Sequence, residues 1–231
     1  MKIKHLLIDL DDTLLENNMD TFAPGYYSLL SKTLAEFCPP ERLLPALMAG
    51  TKAMMLNDDA DKTLETTFDE IFYPQIGVEK KDIAPHILSF YQNQFTSLKS
   101  LTKTIPAAKK LVDTALAKGY QVTVATNPLF PRVAIDQRLK WAELPASQYP
   151  FAVVTSYETF HFCKPNPKYY LEILSRLQAD AAECLMIGND LDADILPALK
   201  AGLSAFHISS SAAEKPDGYR SGTLADVTNS L

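Results

Sequence analysis

The sequence predicts an α/β protein: a doubly wound parallel sheet, broken after its first strand by an all-helical insertion. Three observations carry that expectation. An apolar run from Ile3 to Ile8 reads as a buried opening strand. From Phe22 to Ser97 the apolar spacing is helical and no strand pattern intervenes. From Pro106 onward, short apolar runs alternate with helical segments, the signature of βα units. The expected division is a discontinuous core, residues 1–15 and 100–231, around a helical unit at 16–99.

Taken in order, Glu16 to Asp20 is polar and reads as a linker. Tyr26, Leu29, Leu30, Thr33, Leu34 and Phe37 then line one helical face, which Cys38-Pro39-Pro40 terminates because the residue before a proline is pushed out of the helical region. Leu43, Leu44, Leu47 and Met48 begin a second helix with Gly50 near its end, and 63–73 and 83–95 continue the series. Residues 97–104 are polar again and read as the return linker, so motion of the insertion would fall near Asn17-Asn18 and Lys99-Ser100. Pro106 suits a first helical turn, and Gly119 caps the helix carrying Leu111, Val112, Ala115 and Leu116. Strands at 120–125, 151–155, 184–187 and 205–208 then alternate with helices at 131–143, 167–177 and about 192–201, with Asn166 as an N-cap and Gly202 as a stop. The low-complexity patch is Ser209-Ser210-Ser211.

Composition narrows the class. Apolar residues make up 47% and charged residues 22% of 231, so a full core needs no disulfides. The formal charge is −6 and basic clusters are short, which argues against a nucleic-acid partner or an anionic membrane surface. Three cysteines without a CxxC pair suit a reducing compartment. Asp9, Asp11 and Asp12 interrupt the first apolar run too soon for a signal peptide, and no run approaches the ~20 residues of a membrane span, so a cytoplasmic protein is expected.

Ligands of such sheets bind outside the carboxyl ends of the strands, and four strand ends here carry chemistry. The first ends in Asp9-Leu10-Asp11-Asp12-Thr13, where carboxylates repel one another unless a cation sits among them. The second ends in Thr126-Asn127-Pro128, a hydroxyl and free backbone N–H groups. The third leads to Lys164 just before a helix start, and the fourth to Gly188-Asn189-Asp190-Leu191-Asp192-Ala193-Asp194, a second acidic turn. Each alone is ordinary: a turn threonine, a solvated lysine, a capping cluster. Their convergence on one sheet edge describes a site for a hard metal and a phosphoryl group.

Those four segments, in order and context, resemble the motifs of the haloacid dehalogenase-like hydrolase superfamily, with Asp9, Asp11, Thr13, Thr126, Lys164 and Asp190/Asp194 at the matching positions. The likeness covers the core, about two thirds of the chain. It implies a Rossmann-like core with the insertion at 16–99 as a helical cap, and a Mg2+-dependent phosphatase acting on a small phosphorylated metabolite. The resemblance also implies that Asp9 attacks phosphorus to form an aspartyl-phosphate, that Asp11 protonates the leaving alcohol and then activates water, and that Mg2+ is held by Asp9, Asp190 and the backbone carbonyl of Asp11. Thr126, Asn127 and Lys164 would bind the transferring oxygens, with Thr13, Asn189 and Asp194 in support. The fourth motif departs from the commonest pattern because Asn189 follows Gly188. Aligned on the glycine, Asn189 takes the ligand position; aligned on the acidic pair, Asp190 does, and a charged oxygen favours Asp190.

Other readings have discriminators. A dehalogenase lacks a carboxylate two residues after its nucleophile, so Asp11 argues against it. A phosphonate hydrolase needs a cap lysine, for which Lys32, Lys52 and Lys62 are formally present. A sugar phosphomutase shares all four motifs and differs in transferring phosphate rather than releasing it. A phosphoaccepting receiver domain places its acidic pair and its phosphorylated aspartate on different strands and has no such insertion. Cys163, Asp12, Met54, Met55, Leu56, Tyr26 and Tyr27 are read as structural.

Overall fold

A computed structural model describes residues 2–210, 213–214 and 218–231. The chain opens on β1 (His5–Ile8), every residue of which is buried. A two-residue strand β2 (Leu15–Glu16) leads into α1 (Met19–Thr33), α2 (Pro40–Leu56), α3 (Leu64–Ile76), α4 (Lys80–Gln92) and a 3-10 helix over Gln94–Leu101. β3 (Lys103–Thr104) brings the chain back, pairing antiparallel with β2, so the insertion leaves and rejoins the core through one small two-stranded sheet. Then follow α5 (Pro106–Ala117), β4 (Gln121–Val124), α6 (Arg132–Trp141), β5 (Val153–Val154), α7 (Pro167–Leu177), β6 (Cys184–Gly188), a π-helical turn over Leu191–Ile195, α8 (Leu196–Lys200), β7 (Ser204–Ile208), β8 (Ala213–Glu214), β9 (Arg220–Gly222) and α9 (Leu224–Ser230).

The main sheet has the order β5-β4-β1-β6-β7-β9-β8 and is parallel except for the β8–β9 pair. Ile8 aligns with Val124 on one side and Ile187 on the other. The residues that follow all three strands therefore emerge together, at the point where the chain order switches sides. Alternate residues of β1 feed the two faces: Leu6 and Ile8 join Leu111, Val112 and Ile135, while Leu7 joins Met186, Tyr169 and Tyr170.

The helical insertion is not a separate globule. Phe22 and Phe95 meet Trp141 of α6, the Phe95 and Trp141 rings stacking at 5.3 Å between centroids, so one apolar cluster runs from the sheet into the insertion. Local signals place its helices: Asn18 caps α1 by accepting from the N–H of Asp20, Thr63 caps α3 by accepting from that of Thr66, and Gly77 ends α3 in the left-handed region at φ 69°.

Three expectations need correction. The polar stretch 97–104 is no linker, since Leu98 is buried inside a 3-10 helix and Lys103–Thr104 is a strand. The polar stretch 16–20 contains Asn17, fully buried beneath the site. The helix expected at 192–201 is split into a π-helical turn and α8: the Leu196 N–H reaches back five residues to Leu191 O, and Pro197 has no N–H to continue the ladder. The sheet also gains β8 and β9, too short to show any period. Of the serine patch, Ser211 lies outside the described residues.

Candidate active site

Asp9 follows β1 directly, fixed by its N–H donating to Ile187 O at 2.9 Å. Its Oδ1 accepts from Lys164 Nζ at 2.6 Å, and the same ammonium donates to Asp194 Oδ1 at 2.5 Å. All three side chains are buried. Loss of hydration pushes the Asp9 carboxyl up to about 7, with the Asp194 and Asp11 charges adding to the rise and Lys164 opposing it. For Lys164, burial pulls downward, but Asp194 and Asp9 outweigh it and hold the ammonium well above its usual range.

Asp11, two residues on, has different partners. Oδ2 accepts from Arg138 at 2.6 Å and Oδ1 from Asn17 Nδ2 at 2.8 Å. Arg138 is 2% exposed and lies across the site on α6, where it also reaches Thr126 Oγ1 at 3.4 Å. Asp12 makes the turn, with φ 55° and its Oδ1 accepting from the N–H of Asn17.

The phosphate-side residues follow β4. Thr126 is buried, and its carbonyl accepts from Thr155 Oγ1 at 2.7 Å and from the Tyr169 hydroxyl at 2.8 Å. Asn127 Oδ1 accepts from the N–H of Lys164 at 3.2 Å, linking this loop to the lysine. The structure thus brings Asp9, Asp11, Thr126, Asn127, Lys164 and Asp194 to one edge.

The fourth turn divides its labour differently from expectation. Asn189 Oδ1 accepts from the buried Thr13 hydroxyl at 3.1 Å, which puts Asn189 against the first motif. Asp190 is exposed, and its Oδ1 accepts from the N–H groups of Asp192 and Ala193, both at 2.9 Å. The sequence made Asp190 the expected Mg2+ ligand; here one of its carboxylate oxygens caps the turn, because a helical turn starts immediately after it and leaves N–H groups that need an acceptor. Asp194 closes the turn, its Oδ2 accepting from the N–H of Asp190 at 3.1 Å. Gly188 is glycine for a steric reason, since a Cβ there would lie 2.7 Å from Asp194 Cβ.

Among the described residues no group of three or more His, Cys, Asp or Glu side chains forms a ready-made metal cage. A Mg2+ site of one or two side-chain oxygens, a carbonyl and several waters needs no such cage. The charges fit that kind of site: among the described residues Asp9, Asp11 and Asp194 pair with Lys164 and Arg138, three carboxylates against two cations.

Sequence reasoning missed Asn17, Arg138, Thr155 and Tyr169. Only Arg138 carried a signal, a charged residue among the apolar-face positions Ala134, Ile135, Leu139 and Trp141 of its helix.

A parallel, doubly wound sheet with acidic turns after two adjacent strands and a buried lysine between them defines an α/β enzyme with its site at the strand ends. The model of haloacid dehalogenase-like hydrolases matches residues 3–202, and the chain belongs to that family. Over 218 residues it is 26% identical to the glyceraldehyde 3-phosphate phosphatase of Methanopyrus kandleri, covering 89% of this chain and 84% of that one. Among solved structures it resembles a 2-haloacid dehalogenase from Pseudomonas syringae pv. Tomato DC3000, with TM-score 0.65, 20% identity and coverage of 98% and 97%. It also resembles the putative HAD-hydrolase YfnB from Bacillus subtilis, solved bound to magnesium and described as showing interdomain movement, with TM-score 0.57, 20% identity and coverage of 100% and 99%. Among the described residues no helix is long and apolar enough to cross a membrane.

Proposed function

We propose that this hydrolase is a Mg2+-dependent phosphatase that cleaves a small phosphomonoester through an aspartyl-phosphate on Asp9. The observation that carries the reading is a pair of carboxylates at one strand end with different partners, Asp9 on Lys164 and Asp11 on Arg138 and Asn17. A dehalogenase has no use for the second carboxylate. The phosphatase named above and the magnesium-bound relative support the same reading.

Asp9 is the nucleophile, held by Lys164 through one oxygen so that the other can meet phosphorus. Asp11, oriented by Arg138 and Asn17, acts first in its protonated form, giving that proton to the leaving oxygen, and then as the carboxylate takes one from the water that hydrolyses the acyl phosphate. Lys164, the Thr126 hydroxyl and the backbone around Asn127 supply donors for the phosphoryl oxygens. Asp9, the backbone carbonyl of Asp11 and Asn189 would hold Mg2+; we take Asn189 over Asp190 because it faces Thr13. When bound, the cation screens the dianionic phosphate from the Asp9 charge. Residues 16–99 act as the cap over the site and restrict it to small esters; efficient attack on a folded phosphoprotein, with small esters ignored, would refute that restriction.

The test is phosphate release from p-nitrophenyl phosphate with Mg2+ and with chelator, together with acid-quench trapping of a labelled acyl phosphate. Wild type should release phosphate only with the metal. Asp9→Asn should neither turn over nor trap label. Hydrolysis of a 2-haloacid without phosphatase activity would overturn the reading, and so would an Asp9→Asn variant keeping more than about a hundredth of the wild-type rate.

A further inference from the structure

Lys164 stands just before α7, and the first turn of that helix carries Tyr169 and Tyr170. Asn166 ties the lysine to the helix: its side chain accepts from the N–H of Lys168 at 3.0 Å, and its own N–H donates to Cys163 O at 3.0 Å. Both tyrosine rings are fully buried. Successive helical residues point ~100° apart, and these two hydroxyls reach different strand-end loops. Tyr169 donates to Thr126 O at 2.8 Å, in the loop after β4. Tyr170 donates to Ala193 O at 2.9 Å and to Asp194 O at 3.0 Å, in the turn after β6. A buried phenol needs a partner, and these carbonyls need a donor as well. Pro197 has no N–H, so the helix ladder cannot serve Ala193 O from four residues on; Tyr170 serves it instead.

The carbonyls so held belong to the residues around Lys164. Asp194 accepts from Lys164 through Oδ1 and from the N–H of Asp190 through Oδ2, so with its carbonyl on Tyr170 it is fixed at backbone and side chain together. An ammonium carries three N–H donors. Lys164 gives one to Asp9 and one to Asp194, and the directions of these two set that of the third. A shift of Asp194 therefore re-aims the donor left for a phosphoryl oxygen and moves Asp9 with it. On the opposite wall Thr126 O takes hydrogen bonds from Thr155 and Tyr169, which fix the main chain that carries the Thr126 hydroxyl.

We propose that Tyr169 and Tyr170 are positioning residues of the reaction, Tyr170 fixing Asp194 and through it the Lys164–Asp9 pair, and Tyr169 fixing Thr126. This rests on the phosphatase reading above. The donors of both hydroxyls are spent on main chain, so each acts through the residue it holds. That residue decides which kinetic parameter each tyrosine moves. Tyr170 works on Asp9, the attacking group, and its loss falls on kcat. Tyr169 works on Thr126, which binds the phosphoryl oxygens, and its loss falls on KM.

The experiment compares Tyr169→Phe and Tyr170→Phe with wild type in Mg2+-dependent hydrolysis of p-nitrophenyl phosphate. Tyr26→Phe is the control: it also deletes a buried hydroxyl, one bonded to Tyr91 at 2.8 Å in the helical insertion. Tyr170→Phe should lose about tenfold in kcat with KM little changed, less than the ~100-fold that a 1 Å misplacement costs. Tyr169→Phe should raise KM, and the inhibition constant of inorganic phosphate, about fivefold, the factor for a net hydrogen bond of ~1 kcal/mol. Tyr26→Phe should lower Tm and leave both parameters at wild-type values. A second readout needs no turnover: the carbon–proton NMR signal of Lys164 Cε, in protein labelled at that carbon and assigned by its loss in Lys164→Arg. It should shift in Tyr170→Phe and stay in place in Tyr26→Phe. Wild-type kcat in Tyr170→Phe, or an unmoved Lys164 signal, would overturn the role of Tyr170. Wild-type KM in Tyr169→Phe would overturn that of Tyr169. A Tyr170→Phe chain that fails to fold would make the hydroxyl a requirement of the fold and would overturn its positioning role likewise. No phosphate release from wild type would refute the phosphatase reading, while the Lys164 signal would still decide whether Tyr170 holds the lysine in place.

Discussion

Arg138 lies buried on α6 and donates a 2.6 Å hydrogen bond to Asp11 Oδ2, a contact joining residues 127 positions apart. A fully desolvated guanidinium has few reasons to exist unless its partner must be held in place. Asn17 holds the other oxygen, so the Asp11 carboxylate has one orientation.

Arg138→Met should therefore leave a folded enzyme whose kcat falls about a hundredfold with KM little changed, the order expected when a reacting group is misplaced by ~1 Å. Arg138→Lys keeps the charge but not the planar fork and should fall between the two. Circular dichroism confirms folding, and steady-state kinetics give the split. An Arg138→Met enzyme with more than a third of the wild-type kcat would reject the positioning role.

The raised Asp9 carboxyl makes a pH prediction. With its folded pKa near 7 and an ordinary carboxylate value unfolded, the folded metal-free protein holds a proton that the unfolded chain has lost between about pH 4 and 7. The stability linked to Asp9 is thus complete below pH 4 and is lost as pH rises through 7. Asp9→Asn removes that ionisation, so metal-free Asp9→Asn should gain in Tm relative to wild type between pH 5 and 8, at ~1.4 kcal/mol per unit of separation. Mg2+ should stabilise wild type more at pH 8 than at pH 5.5, by mass action on the ionised form. Parallel Tm profiles for the two proteins across that range would show that Asp9 titrates normally.

The parallel core was legible because its strands are buried on both faces and its helices carry caps such as Asn166 and Gly119. Asp9, Thr126 and Lys164 were legible because strand ends meet wherever the sheet closes. Asn17 was not, since nothing local separates a buried asparagine from its solvated neighbours in a polar run. Nor was the register of the fourth turn, which depends on whether Asp190 is more useful as a cap than as a ligand. The edge strands β8 and β9 are set by pairing across the chain, and two or three residues carry no period.

That register has its own test. Asn189 touches Thr13, whereas Asp190 uses one carboxylate oxygen to accept from the N–H groups of Asp192 and Ala193. In a Mg2+ titration read by calorimetry, Asn189→Ala should weaken binding about tenfold or more, the scale on which support for a metal site is lost. Asp190→Asn should bind nearly as wild type, because an asparagine can still cap the turn. The reverse order would return the metal-facing role to Asp190.

Gly188 and Asp194 form the last pair to be tested. A methyl group on Gly188 would press on Asp194 Cβ at 2.7 Å, and Asp194 cannot yield freely because its carboxylate holds both Lys164 and the N–H of Asp190. Gly188→Ala should cost about 1–3 kcal/mol through overpacking, a Tm drop of roughly 3–10 °C for a chain of this size. Asp194→Ala alone should also destabilise, by leaving the buried Lys164 with Asp9 as its one remaining carboxylate among the described residues. The two changes relieve each other in part, since an alanine at 194 has no Oδ2 or Cγ, the atoms that come nearest to the added methyl, and only its Cβ at 2.7 Å still presses. The double variant should therefore be more stable than the two losses added together, by an interaction of 0.5 kcal/mol or more, on the order seen for residues in contact. Strict additivity in a denaturant-unfolding cycle would mean that the glycine is needed for some reason other than the space taken by Asp194.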